Sequence, residues 1–499
     1  MSFLSPMSIG RRGSKSIFPL LACFALVAVI GILVALLREN AWWLIILASA
    51  AVVFFISWID FASGLILYIA LVMLVPKVLG LPIPGLLFST LSPSRVLLIA
   101  LAFPRMITLV QGRLGVRRTL LDKWIALVIG VTLITLPFSV GLYVSVPRFV
   151  GQLLEYWLLF YLVIDNLRTL PKIQRVIGGL LAIVGIATLI GIFEIFSGQN
   201  LYRDIIFVSK SDLWDWGAGE FVPGTSLSRA LGPFEHPIAF GVILAMAIPL
   251  ALWFVQTTRG CIRWILLFLL TTMSVCLLAT VSRLAWIAAV VGIFASNNLS
   301  VKKRAIAAVI VFAISLIPIP VTSGTGQMSV AQVVIESLNI ASPGEGLNQS
   351  AVGRLALVAS AIELVQARPM FGYGLSISKT LWDPNSPFIE LRSQIGALEN
   401  QYLVYFVDLG IVGAAAWLLL EFAVIRFAWR AARSTKLHQA KLLASALFGS
   451  IIVYYVSLLG VGGYYQQIDP LFWILVAIVL SLGIVDSQSK IVPTLANNI

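Results

Sequence analysis

The chain reads as an all-α, polytopic membrane bundle of about 14 transmembrane helices. A helix needs about 20 apolar residues to cross roughly 30 Å of hydrocarbon, and runs of that kind recur from end to end. Of 499 residues, 60% are hydrophobic and 11% charged, with a mean hydropathy of +1.01. That is too little polar surface for a soluble globule of this size. The runs lack the two-residue alternation of a membrane β-strand, so helices must satisfy the backbone groups held in lipid.

The apolar spans begin near residues 17, 42, 61, 92, 124, 148, 175, 237, 262, 283, 304, 401, 442 and 469. The first follows Arg11, Arg12 and Lys15 as a secretory signal would. It is too long for one and has no small-x-small cleavage site, so it is expected to stay as an anchor. The residues after Arg11-Arg12 do not continue a twin-arginine signal. With the N-terminus in the cytoplasm, the clusters Arg113/Arg117/Arg118/Lys123, Arg168/Lys172/Arg175, Arg259/Arg263, Lys302/Lys303/Arg304 and Arg426/Arg430/Arg433/Lys436 all fall inside, as positive-inside topology requires. The C-terminus is then cytoplasmic as well. The two longest loops, 197–235 and 322–400, lie outside a single membrane domain spanning 1–499.

The net charge of +13 reflects this topology and attraction to anionic membrane lipids. No basic patch is interleaved with stacking aromatics, so no nucleic-acid partner is expected. Cys23, Cys261 and Cys276 sit in or beside apolar spans, where a thiol acts as a small hydrophobe. With no cysteine pair outside and only two histidines, His236 and His438, on opposite faces, neither a metal site nor a disulfide framework is expected. Serine-hydrolase, P-loop and dinucleotide motifs are missing, and no cofactor is implied.

The first outer loop carries Trp214 and Trp216 and ends in Ser228-Arg229-Ala230-Leu231-Gly232-Pro233-Phe234-Glu235-His236-Pro237. In the second, apolar residues from Ala351 to Gln366 recur at helical spacing and predict an amphipathic helix on the membrane surface, ended by a turn at Phe371-Gly372-Tyr373-Gly374. A polar insert this long among membrane helices is where function is expected.

Arg229 and Arg283 lie at external span boundaries, where the positive-inside rule gives them no place. An unpaired arginine costs on the order of 2.5–3.5 kcal/mol on insertion scales, so each needs an anionic partner. A phosphate ligand, lipid phosphates and a neighbouring acid such as Glu235 all answer that need. Arg148 shares a helix face with Glu155 two turns below, which fits a ligand site or an internal ion pair with a third group. Arg354 is on the long loop, either solvated or facing a ligand. Glu399, beside Asn400 and Tyr402, has the position of a general base or of a first-turn acid held by the helix dipole. His236 bonds a ligand or opens the helix before Pro237.

Arg229-x-x-Gly232, Ser282-Arg283, Gly353-Arg354, Pro369-Met370-Phe371-Gly372-Tyr373-Gly374 and Glu399-Asn400-Gln401-Tyr402-Leu403 followed by Gly410-Ile411-Val412-Gly413 together resemble the O-antigen ligase and polymerase superfamily over about 225–425. The resemblance implies a metal-independent, inverting glycosyltransferase of the bacterial inner membrane, working on the periplasmic side through one large periplasmic loop with short helices. Its implied partners are an undecaprenyl-diphosphate-linked oligosaccharide, a glycan acceptor and envelope polysaccharide assembly proteins. By the same resemblance Arg229 and Arg283 hold the diphosphate, and Glu399 acts as catalytic base. Arg354, Arg148, Asn400, Tyr402 and His236 are candidates for substrate binding. Ligases carry a histidine where this chain has Glu399, which favours repeat-unit polymerisation over ligation to lipid A-core. A lipid-linked glycan flippase and a non-catalytic scaffold are the readings from other classes.

Overall fold

The computed structural model describes residues 41–75, 81–82, 90–111, 117–202, 229–296, 320–323, 326–329, 358–359, 361–380, 398, 400–462 and 467–488. They form a helical bundle with two short antiparallel ribbons, Leu81–Pro82 with Thr90–Leu91 and Pro320–Ser323 with Gly326–Ser329. The helices are α1 (Ala41–Ile59), α2 (Phe61–Leu74), α3 (Pro93–Val110), α4 (Asp122–Thr135), α5 (Leu142–Gln152), α6 (Leu159–Asn166), α7 (Leu170–Ser197), α8 (Pro237–Thr257), α9 (Cys261–Ala279), α10 (Arg283–Ala295), α11 (Gln401–Ser434), α12 (His438–Ser457) and α13 (Ile468–Gln488).

Every expected span start except those near 17 and 304, which lie outside the described residues, falls in or beside one of these helices. Among the described residues, six helices are long and apolar enough to cross a membrane, namely α3, α7, α8, α9, α11 and α12. The sequence expectation was about 14 spans. Segments within α1, α2, α10 and α13 are apolar but shorter.

Burial orders the bundle. The most apolar stretch of α8 is 83% buried and that of α12 72%, against 39% for α9. α8 and α12 therefore form the centre, tied by Ser450 Oγ donating to the Met246 carbonyl at 2.7 Å. α9 turns Ile262, Trp264, Ile265 and Phe268 outward at the rim, as a lipid-facing helix must.

The two ends of the bundle differ in polarity. At one, Asp60 caps α2 through Ser63 and pairs with Arg175 at 3.2 Å and Lys172 at 3.8 Å, and buried Arg105 pairs with Asp165 at 3.1 Å. At the other, where α3, α5, α8, α10, α11 and α13 begin, most of the remaining buried polar residues gather. α5 passes into α6 through a π-helical segment, Leu153–Leu158. Such single-turn insertions re-aim side chains and mark functional positions. Here Glu155, Tyr156 and Trp157 are all buried although they point three ways, so this segment is enclosed by helices on every side.

α11 is two helices. Gly410 breaks it with φ 66° and ψ −172°, a left-handed backbone that disfavours any side chain. The break exposes carbonyls, and the segment after the amphipathic helix enters to meet them. Tyr373 N donates to the Val407 carbonyl at 3.0 Å, Gly374 N to that of Asp408 at 2.8 Å, and Ile411 N to that of Pro369 at 2.8 Å. Asp408, fully buried, accepts from Ser376 N at 2.8 Å and Ser378 N at 2.9 Å. Gly372, at φ 65°, lies so close to the Val407 and Asp408 carbonyls that a Cβ would overlap them. The expected turn at Phe371–Gly374 is thus a re-entrant strap, held on its other side by Val140 N donating to the Tyr373 carbonyl at 2.8 Å and by Phe371 stacking on Phe138. Irregular backbone at this depth is tolerated because protein, not lipid, surrounds it.

Candidate functional site

Arg229 is buried against the turn between α9 and α10. Its Nε donates to the Thr280 carbonyl at 2.8 Å, and Ala230 N donates to the Ala279 carbonyl at 3.0 Å. Arg283 opens α10 three residues on. The fold therefore brings the two arginines singled out in the sequence to a single turn. It holds the Arg229 segment there with a residue the sequence reading passed over. Glu194, buried near the end of α7, accepts from Leu231 N at 3.0 Å and Gly232 N at 2.7 Å, and its other oxygen accepts from Asn200. The Arg-x-x-Gly spacing thus supplies consecutive backbone donors for a buried carboxylate, and Glu194 itself was detectable as an acid within an apolar run.

His236 N-caps α8, its Nδ1 accepting from Ile238 N at 3.1 Å. Burial, reinforced by the Arg229 charge, lowers its pKa to about 3, so the imidazole is neutral and its Nδ1 lone pair stays available as a cap at physiological pH. Of the two readings open in the sequence, helix entry is the one its contacts fill.

The turn after α12 connects the arginines to the start of α11. Leu284, next to Arg283, packs on Gly460, where a Cβ would lie 2.6 Å from Leu284 Cδ2. Gly462 lies flush against the Leu398 carbonyl, and Gln401 N donates to the Leu458 carbonyl at 2.9 Å. Residues 398, 400 and 401 and the start of α10 therefore flank one turn, 458–462. Glu399 and Arg354 lie outside the described residues. Asn400 caps α11, its Oδ1 accepting from Tyr402 N at 3.0 Å and Leu403 N at 3.3 Å, and Tyr402 Oη donates to the Tyr455 carbonyl at 3.0 Å.

Arg148 stands in the second turn of α5, which starts at Leu142, earlier than the start near 148 expected from hydropathy. Its Nη2 donates to Tyr156 Oη at 3.2 Å. Tyr156 donates to Asp469 Oδ2 at 2.6 Å, and Tyr454 donates to Asp469 Oδ1 at 3.0 Å. Glu155 turns instead to α3, accepting from Ser94 Oγ at 3.0 Å with Arg95 Nε at 3.4 Å. The third group expected for Arg148 and Glu155 thus resolves into two partners, Asp469 through a tyrosine and Arg95 directly. Asp469, Tyr156, Tyr454, Gln401 and Glu421 line a cavity of about 20 Å3, roughly the space of one water-sized sphere. Sequence reasoning missed Asp408, Glu421 and Asp469, each an acid in or at the edge of an apolar helix.

Among the described residues no group of three or more His, Cys, Asp or Glu side chains is placed to hold a metal ion. Residues 266–418 match a family model described as O-antigen ligase. The matched stretch contains Arg283, the positions of Arg354 and Glu399, and the break at Gly410, whereas Arg229 precedes it. No curated protein matches the chain.

Proposed function

On the footing that residues 266–418 carry an O-antigen ligase domain, we propose that this chain is a membrane glycosyltransferase that moves a glycan from an undecaprenyl-diphosphate carrier to a hydroxyl of a glycan acceptor. The observation that carries this reading is the convergence at one end of the bundle. Arg229 is fastened to the turn that launches Arg283, and the neighbours of Glu399 share the 458–462 turn with the start of α10.

The carrier enters sideways between helices from the outer leaflet of the inner membrane, with all fourteen sequence spans in place, both termini in the cytoplasm and both long loops in the periplasm. Arg229 and Arg283 hold the diphosphate and stabilise the charge that grows on it as it leaves. The acceptor oxygen attacks the anomeric carbon from the opposite side and Glu399 takes its proton. The carbon–oxygen bond to the diphosphate breaks with its electron pair going to the leaving group, so configuration inverts. Two guanidiniums supply the positive potential this step needs without a metal. Arg354 and the surface helix align donor or acceptor, and His236, Asn400 and Tyr402 shape the wall of the site. Glutamate in place of the ligases' histidine favours repeat-unit polymerisation.

The test is whether the full chain in nanodiscs, given a lipid-linked glycan, forms a new glycosidic bond. Longer carrier-linked glycan supports polymerisation. Movement of glycan between leaflets with no new bond would replace this reading with a transporter.

A further inference from the structure

Beside the Tyr156–Asp469 bond lie two side chains that the reaction above does not use. Gln152 is one helical turn from both Arg148 and Tyr156 on their face of the helix, and Gln467 precedes Asp469 by two residues. Each is 3% exposed, and neither amide nitrogen has a hydrogen-bond partner. Buried polar groups are almost always paired, and an unpaired one costs about 1–3 kcal/mol. Two of them on the elements that carry Arg148 and Asp469 are donors built for an acceptor that arrives from outside the chain.

The surroundings select the chemistry of that acceptor. Among the described residues, Arg95 pairs with Glu155, and Arg148 is within electrostatic reach of Glu155, Asp408 and Asp469. Two cations against three carboxylates leave no surplus positive charge for a phosphate. Behind them, Trp157 packs edge-on to Trp473 at 4.6 Å and against Trp417 at 6.0 Å. Amide donors, carboxylate acceptors and aromatic faces complement a polyhydroxylated ring, which offers hydroxyls around its edge and C–H groups on its faces.

We propose that Gln152 and Gln467, together with Arg148, form a subsite for uncharged sugar hydroxyls, distinct from the place where Arg229 and Arg283 meet the diphosphate. Tyr156 and Asp469 are positioning residues that fix the guanidinium of Arg148 as the floor of this subsite. The inference rests on the glycan-transfer reading.

It is tested with Gln152→Met and Gln467→Met, near-isosteric changes, in the full chain in nanodiscs. The probes are undecaprenyl diphosphate without sugar and the lipid-linked glycan pool extracted from cells lacking this chain. Removing an unpaired buried amide leaves the melting temperature unchanged or higher, whereas loss of a structural contact lowers it. The expected result is that stability holds, bare-carrier binding stays within about twofold, and binding of the glycan-bearing carrier weakens roughly tenfold or more, as one lost hydrogen bond to a substrate predicts. Equal weakening toward both probes, or toward neither, overturns the subsite. If the wild-type chain forms no glycosidic bond, the transfer reading fails, while the comparison of the two probes still decides the subsite.

Discussion

Tyr405 stacks on Trp417 with ring centroids 5.3 Å apart and planes 7° from parallel. Twelve residues of unbroken helix would separate them by about 18 Å. The break at Gly410 folds the start of α11 back along its own continuation, and Tyr405 Oη reaches Glu421 at 3.1 Å. That fold places the capped start of α11, with Gln401, beside the cavity that Glu421 and Asp469 line.

Gly410→Ala removes the residue that permits this. A Cβ there would overlap the Met370 carbonyl, and the backbone already sits in a region that L side chains avoid. The expected loss is about 2–3 kcal/mol or more, from backbone strain and displacement of the strap. Thermal unfolding in detergent checks it, and an unchanged melting temperature would mean that α11 tolerates an unbroken course.

Asp408→Asn tests the strap from the other side. Asn keeps one acceptor where the carboxylate used two, so the N–H of Ser376 or Ser378 loses its bond in a dry site at a cost of about 1–3 kcal/mol. Faster amide exchange confined to residues 369–378 and 405–411 is the expected result, measured by hydrogen exchange in nanodiscs.

His236 gives a pH signature. Its pKa is near 3 when folded, held down by burial and by Arg229, against about 6.5 in an unfolded chain. Between these values the unfolded chain binds the extra proton, so the contribution is full above about pH 6.5 and declines as pH falls toward 3. His236→Asn preserves a capping side chain and removes the titration. Melting temperatures followed from pH 7.5 to 4.5 should therefore fall less steeply in the variant than in the wild type.

The helix starts were legible because hydropathy and span length act locally. α8, α10 and α11 begin where their apolar runs do, at Pro237, Arg283 and Gln401. Arg229 and Arg283 were legible because topology leaves a cation at the outer boundary without a reason. The break at Gly410 was hidden because Gly-Ile-Val-Gly is apolar enough to continue a span, and only the strap from residues 369–378 makes breaking it stable. The split of Glu155 toward Arg95 and Tyr156 toward Asp469 was hidden for a related reason, since it depends on a π-helical insertion set by packing on three sides. Glu194, Asp408, Glu421 and Asp469 were visible as letters, yet their partners are backbone amides and tyrosines brought together only by the fold.

The central claim is that two cations hold the carrier's diphosphate while an acid takes the acceptor's proton. Its most direct test is single-turnover transfer with a lipid-linked glycan, together with carrier binding, for Arg229→Ala, Arg283→Ala and Glu399→Gln. Each arginine variant is predicted to lose both binding and transfer. Glu399→Gln should bind the carrier normally and transfer about 100-fold or more slowly, the contribution typical of a general base. Transfer at the wild-type rate in all three would contradict it.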